Sequence, residues 1–308
     1  MAMAIKLFNT TIGLALGGGA AKGVAHVGVL KALEDANVDI EYIAGTSVGA
    51  MLAALYAFNV DIDTIGDLSR RLTLSKVTTF KLNKTGFFST NSLKDLMLEY
   101  LGDVNIEDAT IPLAIVATDI NSGEEVILTS GSVADAVCAS AAIPGIYIPV
   151  IIGNRTLVDG GLVQNVPIEA VKAMGAGVTI ASHLNSVSHY SEPSHVLDVM
   201  RNAFEIAVSH HTQDQVADAD LLIGMDLSDF SLRDNTERYD ELFAIGYDTA
   251  HSQLAKLAWY HKTNLFLYLW RMAKELAPFK VPEVVKRITL KSDAKSKTLF
   301  NDKLRDDI

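Results

Sequence analysis

Residues 12–58 read IGLALGGGAAKGVAHVGVLKALEDANVDIEYIAGTSVGAMLAALYAF. Ile12–Leu16 is a short apolar run, as a buried strand requires. Lys22–Ala36 follows as a helix, with Val24, Val27, Leu30 and Leu33 on one face. Ile40–Ala44 is a second apolar run, and Val48–Phe58 is a second helix rich in Ala and Leu. The order β-α-β-α predicts parallel strands in one sheet with helices covering it, an α/β fold.

The rest of the chain extends that frame. In SLKDLMLEYL, Ser92 and Asp95 have the spacing of a capping box, and Leu93, Leu96, Met97, Tyr100 and Leu101 share a helical face. PLAIVATDI and EEVILT flank Asn-Ser-Gly and read as a hairpin. A helix from Val133 to about Ala142 ends before Pro144. YIPVIIGNRTLVDGG reads as two strands joined at Gly153–Asn154, and Pro167 suits the first turn of a helix. VTIASHL and DLLIGMDL are further buried-strand candidates, and long helices are expected over His195–Ala217 and Thr236–Leu257.

Composition narrows the class. Of 308 residues, 49% are hydrophobic and 20% charged, which supports a sizeable core and argues against disorder. The single cysteine, Cys138, excludes an internal disulfide framework and fits a reducing compartment. Val133–Ile152 is the most apolar stretch. Asp135, Pro144, Gly145 and Pro149 interrupt it, so it does not read as a spanning helix. The apolar run after Lys6 leads into a glycine loop and is read as the first strand rather than a signal peptide. The net charge of −11 is unevenly spread. Residues 256–308 carry 12 Lys or Arg against 6 Asp or Glu, and the preceding residues carry 14 against 31. An acidic body argues against nucleic acid as a partner.

Three motifs bear chemistry. GGGAAKG, Gly17–Gly23, lies between a strand and a helix, where glycines let backbone N–H groups approach an anion or an oxyanion. Neither nucleotide template fits it. G-x-G-x-x-G from Gly17 would need glycine at Lys22, and a P-loop would need Ser or Thr at Gly23. Gly45-Thr46-Ser47-Val48-Gly49 also joins strand to helix, the setting of a G-x-S-x-G nucleophile elbow. Ser47 needs a base. In the Ser–Asp–His arrangement of α/β-hydrolases the elbow follows several strands, whereas Ser47 follows two. Of the eight histidines only His183 ends a clear strand. Asp159-Gly160-Gly161, at a strand end and before a proline-started helix, places a carboxylate, though Asp-Gly is also the commonest turn pair.

GLALGGGAAKGVAHVGVLKAL, IAGTSVGAM, ASAAIPGIYIPV and VDGGLVQNVP together resemble the bacterial patatin-like phospholipases in order and spacing, over roughly residues 10–255. The resemblance implies three layers with a mostly parallel central sheet flanked by helices. It implies a catalytic domain over 1–257 and a basic C-terminal extension over 258–308, helical and then partly disordered. It further implies a serine lipid acyl hydrolase acting on phospholipids or lysophospholipids without cofactor or metal. Ser47 would be the nucleophile and Asp159 its partner, a dyad with no histidine. Gly18, Gly19 and Ala20 would form the oxyanion loop, supported by Lys22, Gly45, Gly49 and Gly160. Ala20 stands where many members have glycine and would serve if its φ is negative. Lys22 stands where arginine is frequent, and lacks its bidentate fork. A catalytically quiet scaffolding member of the same fold is the alternative.

Candidate walls for an acyl channel are Thr85–Phe88, Leu93–Leu101 and Ala142–Val150. In NLFLYLWRMAKELAPFK, apolar and aromatic residues adjoin Arg271, Lys274 and Lys280, so residues 258–291 are expected to contact a membrane peripherally, unless they pack on the body or in a homo-oligomer. The expected location is cytoplasmic, or peripheral on the inner membrane surface.

Overall fold

The computed structural model describes residues 11–71, 79–83, 85–185, 190, 192–230 and 237–255. The chain clusters into two units, Met1–Ala258 and Trp259–Ile308; the second, with the basic tail 258–291, lies outside the described residues.

The first unit is built on an eight-stranded sheet. β1 (Ile12–Leu16), β2 (Tyr42–Thr46), β5 (Leu113–Asp119), β9 (Val178–His183) and β10 (Leu221–Gly224) run parallel in the order β10-β9-β1-β2-β5. β6 (Glu125–Leu128), β8 (Arg155–Asp159) and β7 (Val150–Ile152) add antiparallel strands beyond β5. β3 (Thr79–Asn83) and β4 (Gly86–Ser89) form a separate antiparallel pair. The two hairpins expected from sequence are present as β5–β6 and β7–β8.

Alternation along the parallel strands makes the three layers. Ile180, Leu14, Ile43 and Leu113 are register neighbours on one face. They belong to the large core with α1 (Val24–Asp35), α2 (Val48–Ala57) and the helices Ile62–Arg71, Asn91–Leu101 and Val133–Ser140. The next position in each strand gives Ala181, Ala15, Ala44 and Ala114, also register neighbours. That row of small side chains lets the helix Ile168–Met174 lie close against the opposite face.

Three local expectations are corrected. The first helix begins at Val24, because Ala20–Gly23 forms a 3-10 turn. β2 runs two residues beyond Ala44, since Gly45 and Thr46 still pair with Ile115 and Val116. Ser92–Asp95 is not the capping box of that helix, because its N-cap is Thr90, two residues before Ser92. The long helix over Val196–Val216 matches expectation, with the His195 side chain accepting at its N-terminus from the Asp198 amide. Residues 239–255 are helical, within the span 236–257 read from sequence. Among the described residues no helix is long and apolar enough to cross a membrane.

Candidate active site

Ser47 is the one residue between β2 and α2, and its backbone has φ 55° and ψ −122°. A non-glycine residue is held there only when its surroundings over-determine it. Two glycines allow the turn. A Cβ at Gly45 would lie 2.3 Å from the Gly49 carbonyl oxygen, and one at Gly49 would lie 2.1 Å from the Leu16 carbonyl oxygen. Both clashes are with backbone, which cannot move aside, so G-x-S-x-G is here a requirement of packing as well as of turning. Ser140 pins the elbow from below. Its hydroxyl accepts the Ser47 N–H at 2.8 Å and donates to the Val116 carbonyl at 2.6 Å.

Asp159 reaches Ser47 through an arrangement of strand ends. Ile43–Thr46 of β2 pair with Leu113–Val116 of β5, and Leu157–Asp159 of β8 pair with Ala117–Asp119 of β5. β6 shares Ile115 and Val116 with β2, and Ala117 and Thr118 with β8, so it occupies the other edge of β5. β2 and β8 therefore lie on one edge and run toward each other. Their last residues, Thr46 and Asp159, oppose consecutive residues of β5. The Asp159 carboxylate accepts the Gly161 N–H at 2.8 Å, and its backbone N–H donates to Ala142 at 2.9 Å. Thr118 donates its hydroxyl to the Asp159 carbonyl. Gly160 lies flat on β5, where a Cβ would stand 2.2 Å from the Val116 carbonyl oxygen. Asp159 is buried, and burial raises its carboxyl from 3.8 to about 7 against hydrogen bonds from the Gly161 amide and the Ser47 side chain, which lower it.

The glycine loop leaves β1 beside this pair. The Gly18 N–H donates to the Asn165 carbonyl at 3.1 Å, so Gly18 anchors the loop and its amide is not available to a ligand. Gly19 and Ala20 head the 3-10 turn, where the first amides have no acceptor within the helix. Ala20 has φ 51°, so the negative φ on which its place in the loop was made conditional is not met, although its N–H still heads the turn without an acceptor inside it. The chain reverses there into the 3-10 turn, and alanine in this left-handed region costs about 1–2 kcal/mol relative to glycine. Lys22 donates to the Asn185 side chain at 3.0 Å, tying the turn to the segment after β9. Burial lowers its pKa, while Glu205 and Asp226 oppose the shift.

Some supporting residues carry little sequence signal. Gln215, on the helix Val196–Val216, donates to the Val163 carbonyl at 2.7 Å and accepts from the Asn165 N–H at 3.2 Å, clamping the segment after Asp159. His26, Ser182 and Asn165 are buried around the glycine loop. Only their places in GGGAAKGVAH, TIASH and GLVQN pointed to them. His183 ends β9, and burial holds its ring down to about 4, so it is neutral.

Two of the three candidate channel walls are joined. The Phe87 and Phe88 amides both donate to the Ile146 carbonyl at 3.0 Å, and the Phe88 and Tyr147 rings lie 6.3 Å apart. Tyr147 is buried, and that burial, followed by the charge of Asp159, pushes its phenol up to about 12. Leu93 and Met97, from the remaining stretch Leu93–Leu101, belong to the main core.

Residues 14–172, just over half of the chain, match the family model described as patatin-like phospholipase. The chain belongs to the patatin-like phospholipase family. The matched region of this patatin-like chain spans the glycine loop, the elbow and Asp159. The chain is 34% identical over 177 residues to an "Uncharacterized NTE family protein" of Mycobacterium tuberculosis, covering 56% of this chain and 49% of that one. It is 32% identical over 187 residues to "Lysophospholipase NTE1" of Yarrowia lipolytica, covering 59% of this chain and 13% of that one. The patatin-like chain thus spans about half the length of the mycobacterial relative and a small part of the yeast one. Among solved structures, VipD from Legionella pneumophila has a TM-score of 0.47 at 16% identity, over 82% of this chain and 67% of that one.

Proposed function

We propose that the protein is a serine lipid acyl hydrolase that cleaves fatty-acyl esters of phospholipids or lysophospholipids through an acyl-enzyme on Ser47. The observation that carries the reading is the convergence of two strand ends on β5. It brings Ser47, at positive φ, against a buried carboxylate raised to about 7. Family membership and the yeast relative named a lysophospholipase support the substrate class.

Asp159 accepts the Ser47 hydroxyl proton as Oγ attacks the ester carbonyl carbon. The carbonyl electron pair moves to oxygen, and the Gly19 and Ala20 amides donate to that oxyanion, each worth about 3–4 kcal/mol in comparable sites. The intermediate collapses with cleavage of the ester C–O bond, and Asp159 returns the proton to the departing alcohol. Water then gives a proton to Asp159 and adds to the acyl carbon. Collapse breaks the bond from the acyl carbon to Ser47 Oγ, Asp159 returns its proton to Oγ, and the fatty acid is released. The raised pKa suits a carboxylate to this exchange near neutral pH.

The test is turnover of an activated fatty-acyl ester, with fluorophosphonate labelling and assays on phospholipid, lysophospholipid and acylglycerol. Ser47→Ala is expected to abolish both labelling and turnover while the protein stays folded. Wild-type turnover in that variant would remove the assignment. Membrane contact through residues 258–291 belongs to the same proposal. Liposome flotation of the chain ending at Leu257 is expected to show weaker binding than the full chain; equal binding would remove that part.

A further inference from the structure

The chemistry proposed above uses neither buried imidazole, His26 nor His183, and His26 is the one bonded to the glycine loop. His26, on α1, is fully buried. Its Nε2 lies 2.8 Å from the Gly17 carbonyl oxygen and its Nδ1 lies 2.8 Å from the Ser182 hydroxyl on β9. A carbonyl can only accept, so Nε2 carries the proton, and the neutral ring accepts at Nδ1 from the Ser182 hydroxyl. Ser182 also accepts the Gly17 N–H at its own carbonyl, at 3.0 Å. His26, Ser182 and Gly17 close a hydrogen-bonded triangle between α1, β9 and the end of β1.

The triangle acts on one peptide plane. The Gly17 carbonyl and the Gly18 N–H belong to the same rigid unit. His26 holds the carbonyl side and the Asn165 carbonyl holds the N–H side at 3.1 Å. Two residues on, the Gly19 carbonyl accepts the Lys22 N–H at 3.2 Å, which fixes the plane that carries the Ala20 N–H. Between these anchors the plane carrying the Gly19 N–H has glycine on both sides. Rotation there meets little steric resistance, so its direction depends on the anchors.

We propose that His26 is a positioning residue for the oxyanion loop: tied to Ser182, it holds the Gly17 carbonyl and so aims the Gly19 and Ala20 amides at the acyl oxygen on Ser47. This rests on the reading of Ser47 and the loop given under Proposed function. His26 touches neither substrate nor reacting atoms. A ring that only filled space would be replaceable by another ring of similar size, whereas this role needs a donor at Nε2.

The experiment measures kcat and KM for an activated fatty-acyl ester in the full-length wild type, His26→Phe, His26→Gln, Ser182→Ala and Ser47→Ala, with thermal unfolding of each. His26→Phe keeps a ring but lacks the donor; its kcat is expected to fall about 10²-fold with little change in KM, the scale of a mis-set oxyanion donor. His26→Gln restores an N–H donor and is expected to recover to within about tenfold of wild type. Ser182→Ala, a small change, is expected to lower kcat by about three- to tenfold and keeps the test available if His26→Phe does not fold. Wild-type kcat in folded His26→Phe, or in Ser182→Ala, overturns the inference. Equal loss in His26→Phe and His26→Gln overturns it as well, because the donor would then be irrelevant. Loss of turnover in Ser47→Ala alongside wild-type kcat in the His26 and Ser182 variants leaves the Ser47 reading standing and removes this inference alone. Turnover in Ser47→Ala removes both.

Discussion

Three side chains at the site hold positions that free energy would not choose in isolation. Ser47 and Ala20 both have positive φ, and Asp159 is a carboxyl without bulk water. Ala20→Gly relieves about 1–2 kcal/mol of left-handed strain but adds about 0.4–1 kcal/mol of unfolded-state entropy. A net gain of roughly 0.5 kcal/mol is expected from urea denaturation. Asp159 acts as a base only when ionised, and its pKa is about 7. Turnover is therefore expected to rise through about pH 7 and level off above it, read from kcat against pH. The sign for stability is opposite. A raised carboxyl favours the fold below the ordinary value of 3.8 and loses that contribution as pH rises through about 7. Asp159→Asn removes the ionisation from the folded state. It is expected to abolish turnover while raising the thermal midpoint more at pH 8 than at pH 5.

Among elements, the decisive event is the meeting of β2 and β8 on one edge of β5. Each strand end must stop at a defined register, and each is followed by backbone packed too closely for a side chain. Gly49→Ala would drive a Cβ to 2.1 Å from the Leu16 carbonyl oxygen. The elbow would have to move away from β1, at a cost of about 2–3 kcal/mol, with turnover lost in the fraction that folds. The helix Val196–Val216 acts at longer range. Gln215→Ala leaves the Asn165 N–H and the Val163 carbonyl without this partner in a part-buried place, and is expected to destabilise by about 2 kcal/mol in urea titration. It should also lower kcat, because the Asn165 carbonyl is what holds the Gly18 amide.

For the first unit as a whole, buried titrating groups set the response to acid. His26 and His183 are both lowered from 6.5 to about 4, His26 by burial, partly opposed by its bond to the Gly17 carbonyl, and His183 by burial. A lowered histidine contributes stability above pH 6.5 and loses it as pH falls through about 4. Asp159 changes in the other direction over the same range. Two groups losing against one gaining leaves a net loss of the order of 3 kcal/mol between pH 6.5 and 4. Denaturation midpoints measured across that window are expected to fall accordingly. In His26→Gln one losing group opposes one gaining group, so the profile above pH 4 should flatten.

The strand–helix alternation of residues 12–58 and the two hairpins were legible in sequence, because period and turn chemistry are local properties. So were the elbow at Ser47 and the strand-end turn at Asp159, since both leave compact signatures. Nothing local states that residues 112 apart in the chain meet, which follows from β6 taking one edge of β5 and leaving the other for β2 and β8 to share. The sign of φ at Ala20 was likewise undetermined, because alanine gives no signal for the left-handed region and only the reversal into the 3-10 turn imposes it. His26, Ser140, Ser182, Asn165 and Gln215 are common residues whose importance comes from the backbone atom each one reaches. Sequence alone determined the class of fold and the two motifs on which the proposed chemistry rests. The tertiary structure decided which amides of the glycine loop are free to take part, because hydrogen-bond partners distant in sequence are chosen by packing.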